Sequence, residues 1–438
     1  MTRILRLGSL LALVALPAHA SYFDTVGCGT RGLSLSNALT AGATDYQSAY
    51  YNPAQLMARK HTHVGMGIDL LQPFVTVERR ATSSTVASLL PERNLGFHVG
   101  VSTTFGGVFK DRVGFGFVLF VPILKLTRAE SVDFSQPQLP MWQSTPDKLV
   151  ILLGLAGTPI KWMRLGIGLQ VLASLEGTAD VNLSLVDQRV TRRRLTIDLH
   201  GTFAATAGMS FIPTKGLVIG LSYRQDIDLR YDLPIKALIE DVGLLQFHID
   251  GTSLYNPHQL NFGVAWRLPW VPMRLLFDLT WAMWSKGPGL APKTTLTIDN
   301  QRLLNDPKST PQNLIDVTST TPSLESRDVV IPRFGIEAML PKGFTVRAGY
   351  AFKPTPLPTQ RHQTNYVDSD THVVSLGGSW TFADPLKVHK SPLTVGVGFQ
   401  VAVLRERRFD KFDPNDPVGD YSVKGAVFNF GLDLQHDF

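Results

Sequence analysis

Short stretches in which apolar and polar residues alternate run along most of this chain. The last stretch shows the pattern best, because one face is apolar except at His436 and carries Ala426, Phe428, Phe430, Leu432, Leu434 and Phe438. The opposite face carries Gly425, Asn429, Gly431, Asp433, Gln435 and Asp437. Such alternation predicts β-strands with one apolar face. An apolar outer face with a polar inner face is the reverse of a soluble barrel and is typical of a strand that crosses a membrane.

The alternation predicts fourteen strands, near residues 62–79, 93–106, 111–127, 147–157, 162–186, 191–212, 216–233, 246–267, 273–299, 325–340, 344–353, 371–383, 392–406 and 420–438. Connections after even-numbered strands are short. Those after most odd-numbered strands are long and polar, at residues 128–146, 300–324, 354–370 and 407–419. Bacterial outer-membrane barrels have an even number of strands, short periplasmic turns and long outer loops. The predicted fold class is therefore an all-β membrane protein, a 14-stranded antiparallel transmembrane β-barrel over residues 62–438.

Soluble β proteins and nucleic-acid-binding proteins fit the sequence less well. There is no fixed repeat period for a solenoid, and the strands of β-sandwiches do not alternate short and long connections so regularly. The 37 glycines and 24 phenylalanines favour a β protein over stacked α/β domains. The formal charge of +6 is scattered along the chain, and an exported protein meets no nucleic acid.

The first twenty residues predict export. Arg3 and Arg6 precede an apolar core too short to span a bilayer, and Ala18-His19-Ala20 supplies the small residues that signal peptidase needs. Residues 1–20 are therefore interpreted as a cleaved signal peptide, and the protein is expected in the outer membrane. A lipoprotein anchored at Cys28, the only cysteine, is the alternative.

Residues 21–61 lack the pattern of a β-strand, and we predict that they form a hatch, or plug, inside the barrel. Fourteen strands would leave a hole, since eight are already wide enough to be filled by side chains. The segment is apolar or small at Leu33, Leu35, Ala38, Leu39, Ala41, Gly42 and Ala43. Asn52-Pro53-Ala54 looks like a turn that enters a helix, with Asn52 as its cap and Pro53 at its first position. A mobile periplasmic tail is the alternative.

Four motifs follow one another along the chain. The first is Gly32-Leu33-Ser34 followed by Ala41-Gly42-Ala43 and Tyr51-Asn52-Pro53-Ala54. The others are Pro257-His258-Gln259-Leu260 with Trp284-Ser285, Arg347-Ala348-Gly349-Tyr350, and Asp368-Ser369-Asp370-Thr371-His372. In this order the motifs resemble those of the FadL family of outer-membrane long-chain fatty-acid and hydrophobic-compound transporters. Gln55 departs from the family, which commonly has glycine there, and is expected to alter only the local turn.

The resemblance implies a hydrophobic ligand that is captured from outside and released when the hatch rearranges, through a route opened by a distortion of the third strand. Asn52, Pro53 and Ala54 are then the candidate hatch-switch residues. In the third strand, Val118 and Phe120 on the inner face suit an apolar ligand, and Gly114 and Gly116 weaken strand pairing. The alternative for this strand is that its inner face simply packs on the hatch.

Other candidate chemistry lies in the outer loops. Two basic groups, Arg192-Arg193-Arg194 and Arg405, Arg407 and Arg408, are expected to meet lipopolysaccharide phosphates, to attract a fatty carboxylate, or to form a solvated rim. Asp410, Asp413, Asp416 and Asp420 could hold calcium, but they lack the ligand spacing of an EF-hand loop, so a calcium site is not expected. No G-x-S-x-G, P-loop or H-E-x-x-H motif occurs, so an enzyme is not expected.

The expected function is uptake of hydrophobic small molecules, with long-chain fatty acids as the leading substrate. Aromatic hydrocarbons are the rival on the same scaffold, where a wholly apolar site favours hydrocarbons and basic lumen residues favour a carboxylate. A polar-solute porin and a surface adhesin or receptor are rivals from other classes. A monomer without a cofactor or metal is expected, in contact with outer-membrane lipid and lipopolysaccharide.

Overall fold

The computed structural model describes residues 22–88, 90–109, 111–124, 136–142, 149–184, 189–239, 243–287, 293–299, 313–318, 324–361, 364–385, 391–411, 416 and 418–438. The helices in these ranges are α1 (Tyr22–Thr25), α2 (Gly29–Ser34) and α3 (Ser48–Tyr51), with 3-10 turns at Pro53–Ala58, Gly107–Phe109, Trp284–Lys286 and Pro341–Gly343. None of these helices is long and apolar enough to cross a membrane. The predicted signal peptide lies outside the described residues.

The strands, numbered in chain order, account for most of the described chain. Their bounds are β1 His63–Arg79, β2 Asn94–Phe105, β3 Val113–Pro122, β4 Val150–Ile160, β5 Met163–Ser184, β6 Arg189–Thr214, β7 Leu217–Arg224, β8 Ile227–Ile239, β9 Gly243–Asn256, β10 Gln259–Arg267, β11 Met273–Ala282, β12 Lys293–Asp299, β13 Asn313–Thr318, β14 Val329–Met339, β15 Phe344–Lys353, β16 Thr371–Phe382, β17 Leu393–Phe409 and β18 Tyr421–Asp437.

Fourteen of these strands close into a ring, which confirms the predicted fold class. The order is β1, β2, β3, β4, β5, β6, β7, β10, β11, β14, β15, β16, β17 and β18, and β18 pairs back to β1. Each step round the ring is antiparallel. Closure leaves no strand edge facing lipid, which is the condition for crossing a bilayer with strands.

The remaining strands, β8, β9, β12 and β13, form an outer sheet that the sequence analysis did not separate from the ring. β8 pairs in parallel with the far end of β5, and β9 and β12 follow it. The predicted strands 216–233, 246–267 and 273–299 were therefore wrong, because each joins a ring strand to an outer one. β13 was also missed, in the loop predicted at 300–324. The break between β7 and β8 spans only residues 225–226, and the alternation continues across it.

The two faces of the ring follow the predicted pattern. On β17, Val397, Phe399 and Val403 are exposed on the outer face, whereas Gln400 and Ala402 are buried on the inner face. The short connections join β2 to β3, β4 to β5, β6 to β7, β10 to β11, β14 to β15 and β16 to β17, at the same end as both termini of the ring. The opposite end, called the outer end here, carries the long loops and the outer sheet.

Residues 22–58 lie inside the ring and are called the hatch below. α2 contacts β15, β16, β17 and β18, while the 3-10 turn at Pro53–Ala58 contacts strands from β2 to β6. The hatch is buried almost throughout. Cys28 is fully buried there and its backbone N–H donates to Tyr51 Oη at 3.0 Å, which does not fit a lipid anchor at this residue.

Candidate functional site

A cavity of about 120 Å³ lies between the hatch and the outer loops. Its lower side is formed by hatch residues Phe23, Thr25, Asn37, Thr40, Tyr50 and Tyr51. Its wall is formed by the inner faces of β7, β10, β11, β14, β15 and β16, at Arg224, Gln259, Asn261, Thr280, Ala282, Val329, Ile331, Arg333, Lys353 and Thr371. Outer-loop residues close it from above, at Met141, Trp142, Trp284, Pro354, Pro356, Asp368 and Ser369. The cavity therefore occupies the lumen on one side only.

Three cationic side chains and one acid line this cavity. Arg224 donates to the Tyr50 carbonyl at 2.8 Å and its guanidinium lies 4.0 Å from the centre of the Tyr50 ring. Lys353 Nζ donates to the Thr25 carbonyl at 3.1 Å, and Arg333 donates to Thr280 Oγ1. These contacts hold the cations at the cavity surface beside the hatch. The surplus of positive charge suits an anionic group on a ligand.

The single acid, Asp368, sits in the outer loop between β15 and β16. Burial raises the pKa of Asp368 to about 6, although a hydrogen bond from Thr355 and the charge of Arg407 oppose the rise. The carboxyl therefore changes its charge near neutral pH. At pH below about 6 the carboxyl of Asp368 no longer contributes a negative charge to the lining of the cavity.

Aromatic side chains supply the apolar part of the lining. Phe23 packs on Tyr50 with ring centres 5.3 Å apart, and Trp284 packs on Tyr255 at 5.9 Å. Phe23 also meets Phe120 of β3 edge-on at 5.6 Å. Because Phe23 is fully buried between the cavity and β3, it separates the two.

The Asn52-Pro53-Ala54 motif fixes the hatch to β6. Asn52 is a cap, as predicted, although of a 3-10 turn, and its Oδ1 accepts from Ala54 N at 3.1 Å. Its Nδ2 donates to the carbonyls of Thr40 at 2.9 Å and Met209 at 3.2 Å. A methyl group on Gly208 of β6 would overlap Asn52 Oδ1, so this glycine is needed for the close approach. The motif thus joins two hatch segments to the barrel wall.

Gln55 does more than alter the local turn, so that expectation was wrong. Its Nε2 donates to the Ala41 carbonyl at 3.0 Å and to Ser210 Oγ at 3.1 Å, and its Oε1 accepts from Arg164 at 3.0 Å. A glycine here would make none of these bonds. Gln55 therefore extends the attachment that Asn52 begins.

A buried cluster of charges fixes the hatch to β14. Glu337 accepts from Arg31 of the hatch through both carboxylate oxygens at 2.8 Å. The same carboxylate pairs with Arg347 of β15 at 2.9 Å and Arg274 of β11 at 3.2 Å. One carboxylate thus pairs directly with three guanidinium groups and helps to offset the cost of burying their charge.

The four candidate residues of β3 face the hatch and not the cavity. Side chains on Gly114 and Gly116 would meet Met57 and Leu56, and Val118 and Phe120 are fully buried. β3 also pairs with β2 over all ten of its residues without a register shift, so this structure lacks the distortion that the resemblance implies. The inner face of β3 packs on the hatch, which was the alternative reading.

The two predicted rim groups end in different surroundings. Arg192, Arg193 and Arg194 lie in the outer part of β6, paired with residues 180–182 of β5, and their side chains are outside the described residues. Arg405, Arg407 and Arg408 lie together at the outer end of β17, beside a bulge between Leu404 and Arg407.

The outer-loop acids that suggested calcium have other partners. Asp410 pairs with Arg80, and Asp416 Oδ1 accepts from the backbone of Val418 at 2.8 Å and Gly419 at 3.0 Å. Asp420 Oδ1 accepts from Lys411 N at 2.8 Å. Asp413 lies outside the described residues.

Sequence reasoning did not single out Arg224, Arg333 and Lys353 as site residues. The available signal was a basic residue on the polar face of a predicted strand, which Lys353 carries opposite Phe352. That signal shows that a cation faces the lumen. Which cations share one cavity depends on strand order and on where the hatch leaves space.

The family model described as outer membrane protein transport protein (OMPP1/FadL/TodX) matches residues 179–438. The chain belongs to this family. Alkane uptake protein A of Marinobacter nauticus is 24% identical to it over 451 residues, covering 96% of this chain and 94% of that protein.

Solved structures of similar fold cover nearly the whole chain. The crystal structure of a Pseudomonas aeruginosa FadL homologue superposes with a TM-score of 0.61 at 13% identity, covering 97% of this chain and 100% of that one. The Pseudomonas putida toluene transporter TodX gives 0.56 at 15% identity, covering 94% and 99%. Members of the family are transport channels and not enzymes, and this family member is an outer-membrane transporter of hydrophobic compounds.

Proposed function

We propose that this family member takes up long-chain fatty acids by passive, ligand-gated diffusion. The observation that supports this most directly is the lining of the cavity, where Arg224, Arg333 and Lys353 lie beside Phe23, Trp142 and Trp284. Cations orient the carboxylate, and apolar groups receive the alkyl chain. Each methylene transferred from water to such surroundings contributes about 0.8 kcal/mol.

Release requires the hatch to move, because hatch residues form the lower side of the cavity. In this proposal Asn52, Pro53 and Ala54 act as the switch, since the motif joins the 3-10 turn, the Thr40 segment and β6. A ligand can drive such a change only by binding the rearranged state more tightly than the resting one. The expected coupling is therefore between cavity occupancy and the bonds of Asn52.

Uptake of labelled oleate by a host that lacks its own fatty-acid channel tests the proposal. The double variant Arg333→Gln/Lys353→Gln should lower the rate of saturable oleate uptake by at least tenfold, since the loss of even one charge-assisted hydrogen bond costs about 1.5–3 kcal/mol. Lys286→Gln, which removes an exposed outer-loop cation that does not line the cavity, is the matched control and should leave uptake unchanged. If the double variant and the control took up oleate at equal rates, Arg333 and Lys353 would have no role in binding the carboxylate.

Alkanes are the second candidate, because the alkane uptake protein of Marinobacter nauticus matches nearly the full chain. Hexadecane uptake measured in the same cells separates the two. Substitution of the cations should spare hexadecane if the cavity accepts alkanes, whereas oleate uptake should fall. Toluene is the third substrate, since the sequence alone leaves aromatic hydrocarbons open. Robust uptake of a hydrocarbon without any uptake of oleate would replace the leading proposal.

A further inference from the structure

A second cavity lies at the outer end of the barrel, with a volume of about 540 Å³, and it shares only Ser369 with the lining of the lumen cavity. It is open, and its charged lining is Arg327, Asp370, Arg405, Glu406, Arg407 and Arg408. Four guanidinium groups therefore face two carboxylates. An arginine-rich open cavity of this kind is suited to an anion with several oxygens, because each planar guanidinium can donate two parallel hydrogen bonds.

The arginines of this cavity divide into one that supports the structure and three that remain available. Arg407 is half-buried and donates to the carbonyls of Asp368 at 2.7 Å and Leu357 at 3.0 Å, so it holds the neighbouring loop. Arg408 pairs with Glu406 at 3.2 Å, but these side chains are 65% and 46% exposed, and such pairs contribute little. Arg327 reaches the Thr355 carbonyl only at 3.4 Å. Arg405 is exposed, and its side chain makes no hydrogen bond within the described residues.

The position of Arg405 places this cavity at the boundary of the membrane. The outward face of β17 carries Val397, Phe399 and Val403, and Arg405 follows them towards the outer end. On the two preceding ring strands, exposed His372 pairs in register with Val403, two residues before Arg405, and His372 Nδ1 lies 2.9 Å from Oη of exposed Tyr350. Aromatic girdles mark the level of the lipid headgroups in barrels of this class. The arginines therefore lie just above the apolar band, at the level of outer-leaflet phosphates.

We propose that Arg327, Arg405 and Arg408 bind a phosphate group of lipopolysaccharide, with its acyl chains along the outward apolar face of β15, β16 and β17. The outer leaflet of an outer membrane consists largely of this phosphorylated glycolipid, so ligand and site meet by default. The three arginines do not line the lumen cavity, so the assignment does not depend on the proposed substrate. It would fix the orientation of the barrel wall and the loop held by Arg407 against the leaflet.

Native mass spectrometry of the purified, delipidated full chain with added bisphosphorylated lipid A tests the assignment. The triple variant Arg327→Gln/Arg405→Gln/Arg408→Gln should bind lipid A at least tenfold more weakly than the parent. Lys424→Gln removes another exposed cation near the outer end, from its pair with Glu78, and should bind as the parent does. Equal binding by the triple variant and the parent, or an equal loss in Lys424→Gln, would overturn the proposal.

Further measurements distinguish binding of a lipid from binding of a free anion, and a loss of the site from misfolding of the variant. Lipid A without its phosphates should bind the parent no better than the triple variant binds the intact lipid. Inorganic phosphate at the concentration of lipid A should not displace it; full displacement would mean a site for free anions and contradict the lipid assignment. The triple variant should keep the heat-dependent gel mobility of a folded barrel and its hydrophobic-compound uptake, which shows that a loss of lipid binding reflects the site itself.

Discussion

β3 and β14 stand opposite each other, seven strands apart in either direction round the ring, yet they hold the hatch by different means. On β3, Gly114 and Gly116 leave room for Met57 and Leu56, so the contact is apolar and fully packed. On β14, Glu337 holds the hatch through Arg31, and the cavity opens above it beside Arg333. The β3 wall (the inner face of β3) is therefore closed by tight packing on the hatch. The β14 wall (the inner face of β14) binds the hatch through an ion pair and also borders the cavity.

This difference between the two walls shows in which part of the lumen a ligand can bind without first displacing the hatch. Close packing between β3 and the hatch leaves no space for a ligand. Separating the two breaks dispersion contacts before a ligand can replace them. The β14 wall already exposes cations and aromatic rings to a void. A ligand that enters from the outer end therefore meets the β14 wall first, and Phe23 stands between it and β3.

The largest expected effect comes from removing the one acid of the β14 wall. Glu337→Gln leaves Arg31, Arg274 and Arg347 without the carboxylate that they share, and breaking a buried ion pair in this way costs about 3–5 kcal/mol. We expect the hatch to leave its resting position, which would appear as steady ion conductance in planar bilayers. If Glu337→Gln showed no steady ion conductance, packing on β3 alone would be sufficient to hold the hatch.

Arg31→Gln and Glu78→Gln are the controls for this prediction. Arg31→Gln removes a cation but leaves Glu337 paired with two arginines, so its conductance should be much smaller. Glu78 pairs with Lys424 on the exposed surface, and its loss should have no effect. If Arg31→Gln leaks as strongly as Glu337→Gln, the hatch contact itself matters and not the charge balance.

The second prediction tests the closed β3 wall. A methyl group at Gly116 would overlap Leu56, and inserting volume into a packed interior costs about 1–3 kcal/mol. Gly116→Ala should therefore lower the midpoint of thermal unfolding and increase entry of large antibiotics. Gly157→Ala on the adjacent strand β4 meets its nearest atom, the Arg112 carbonyl, at an ordinary 3.6 Å and should match the parent. Equal behaviour of the two variants would show that β3 and the hatch are not tightly packed.

A third prediction separates the two roles of Asn52, which lies between these walls. Asn52→Ala loses the cap and the donated bonds, and loss of a cap alone costs about 0.5–2 kcal/mol. Asn52→Asp keeps the acceptor for Ala54 N but cannot donate to Thr40 or Met209. If anchoring controls the switch, oleate uptake in the aspartate variant should fall as far as in the alanine variant. Normal uptake in Asn52→Asp would assign the residue to capping only.

The ring strands could be predicted from the sequence because the alternation that produces each strand lies within that strand's own segment. A strand between lipid and a polar lumen must alternate, and the alternation can be read in one segment, as at Phe428 to Leu434. The same reasoning failed for the outer sheet, because β8 and β9 alternate as ring strands do. The cap at Asn52 was also predictable, since Asn and Pro at these positions need only their own neighbours.

The charged contacts of the hatch could not be predicted in this way. Arg31 and Glu337 are 306 positions apart, and their meeting depends on the strand order, on register and on the depth of the hatch. The same is true of Arg327, which joins Arg405 and Arg408 only because the loops before β14 and after β15 meet at the outer end. Alternation tells which face a charge takes, but not its partner on another strand.

The smallest expected effect concerns Asp368, the acid of the cavity lining, which lies in the outer loop between β15 and β16. Its pKa is raised to about 6, so the folded state favours the neutral form, and stability from this group falls as pH rises from about 3.8 through about 6. The neutral form also removes the negative charge of Asp368 from the cavity lining, so an alkyl sulfonate, which stays ionised, should bind a few-fold more tightly at pH 5.5 than at pH 7.5. Asp368→Asn should bind with the tighter value at both pH values. A pH dependence that persists in Asp368→Asn would assign the titration to another group and contradict a role for Asp368 in sulfonate binding.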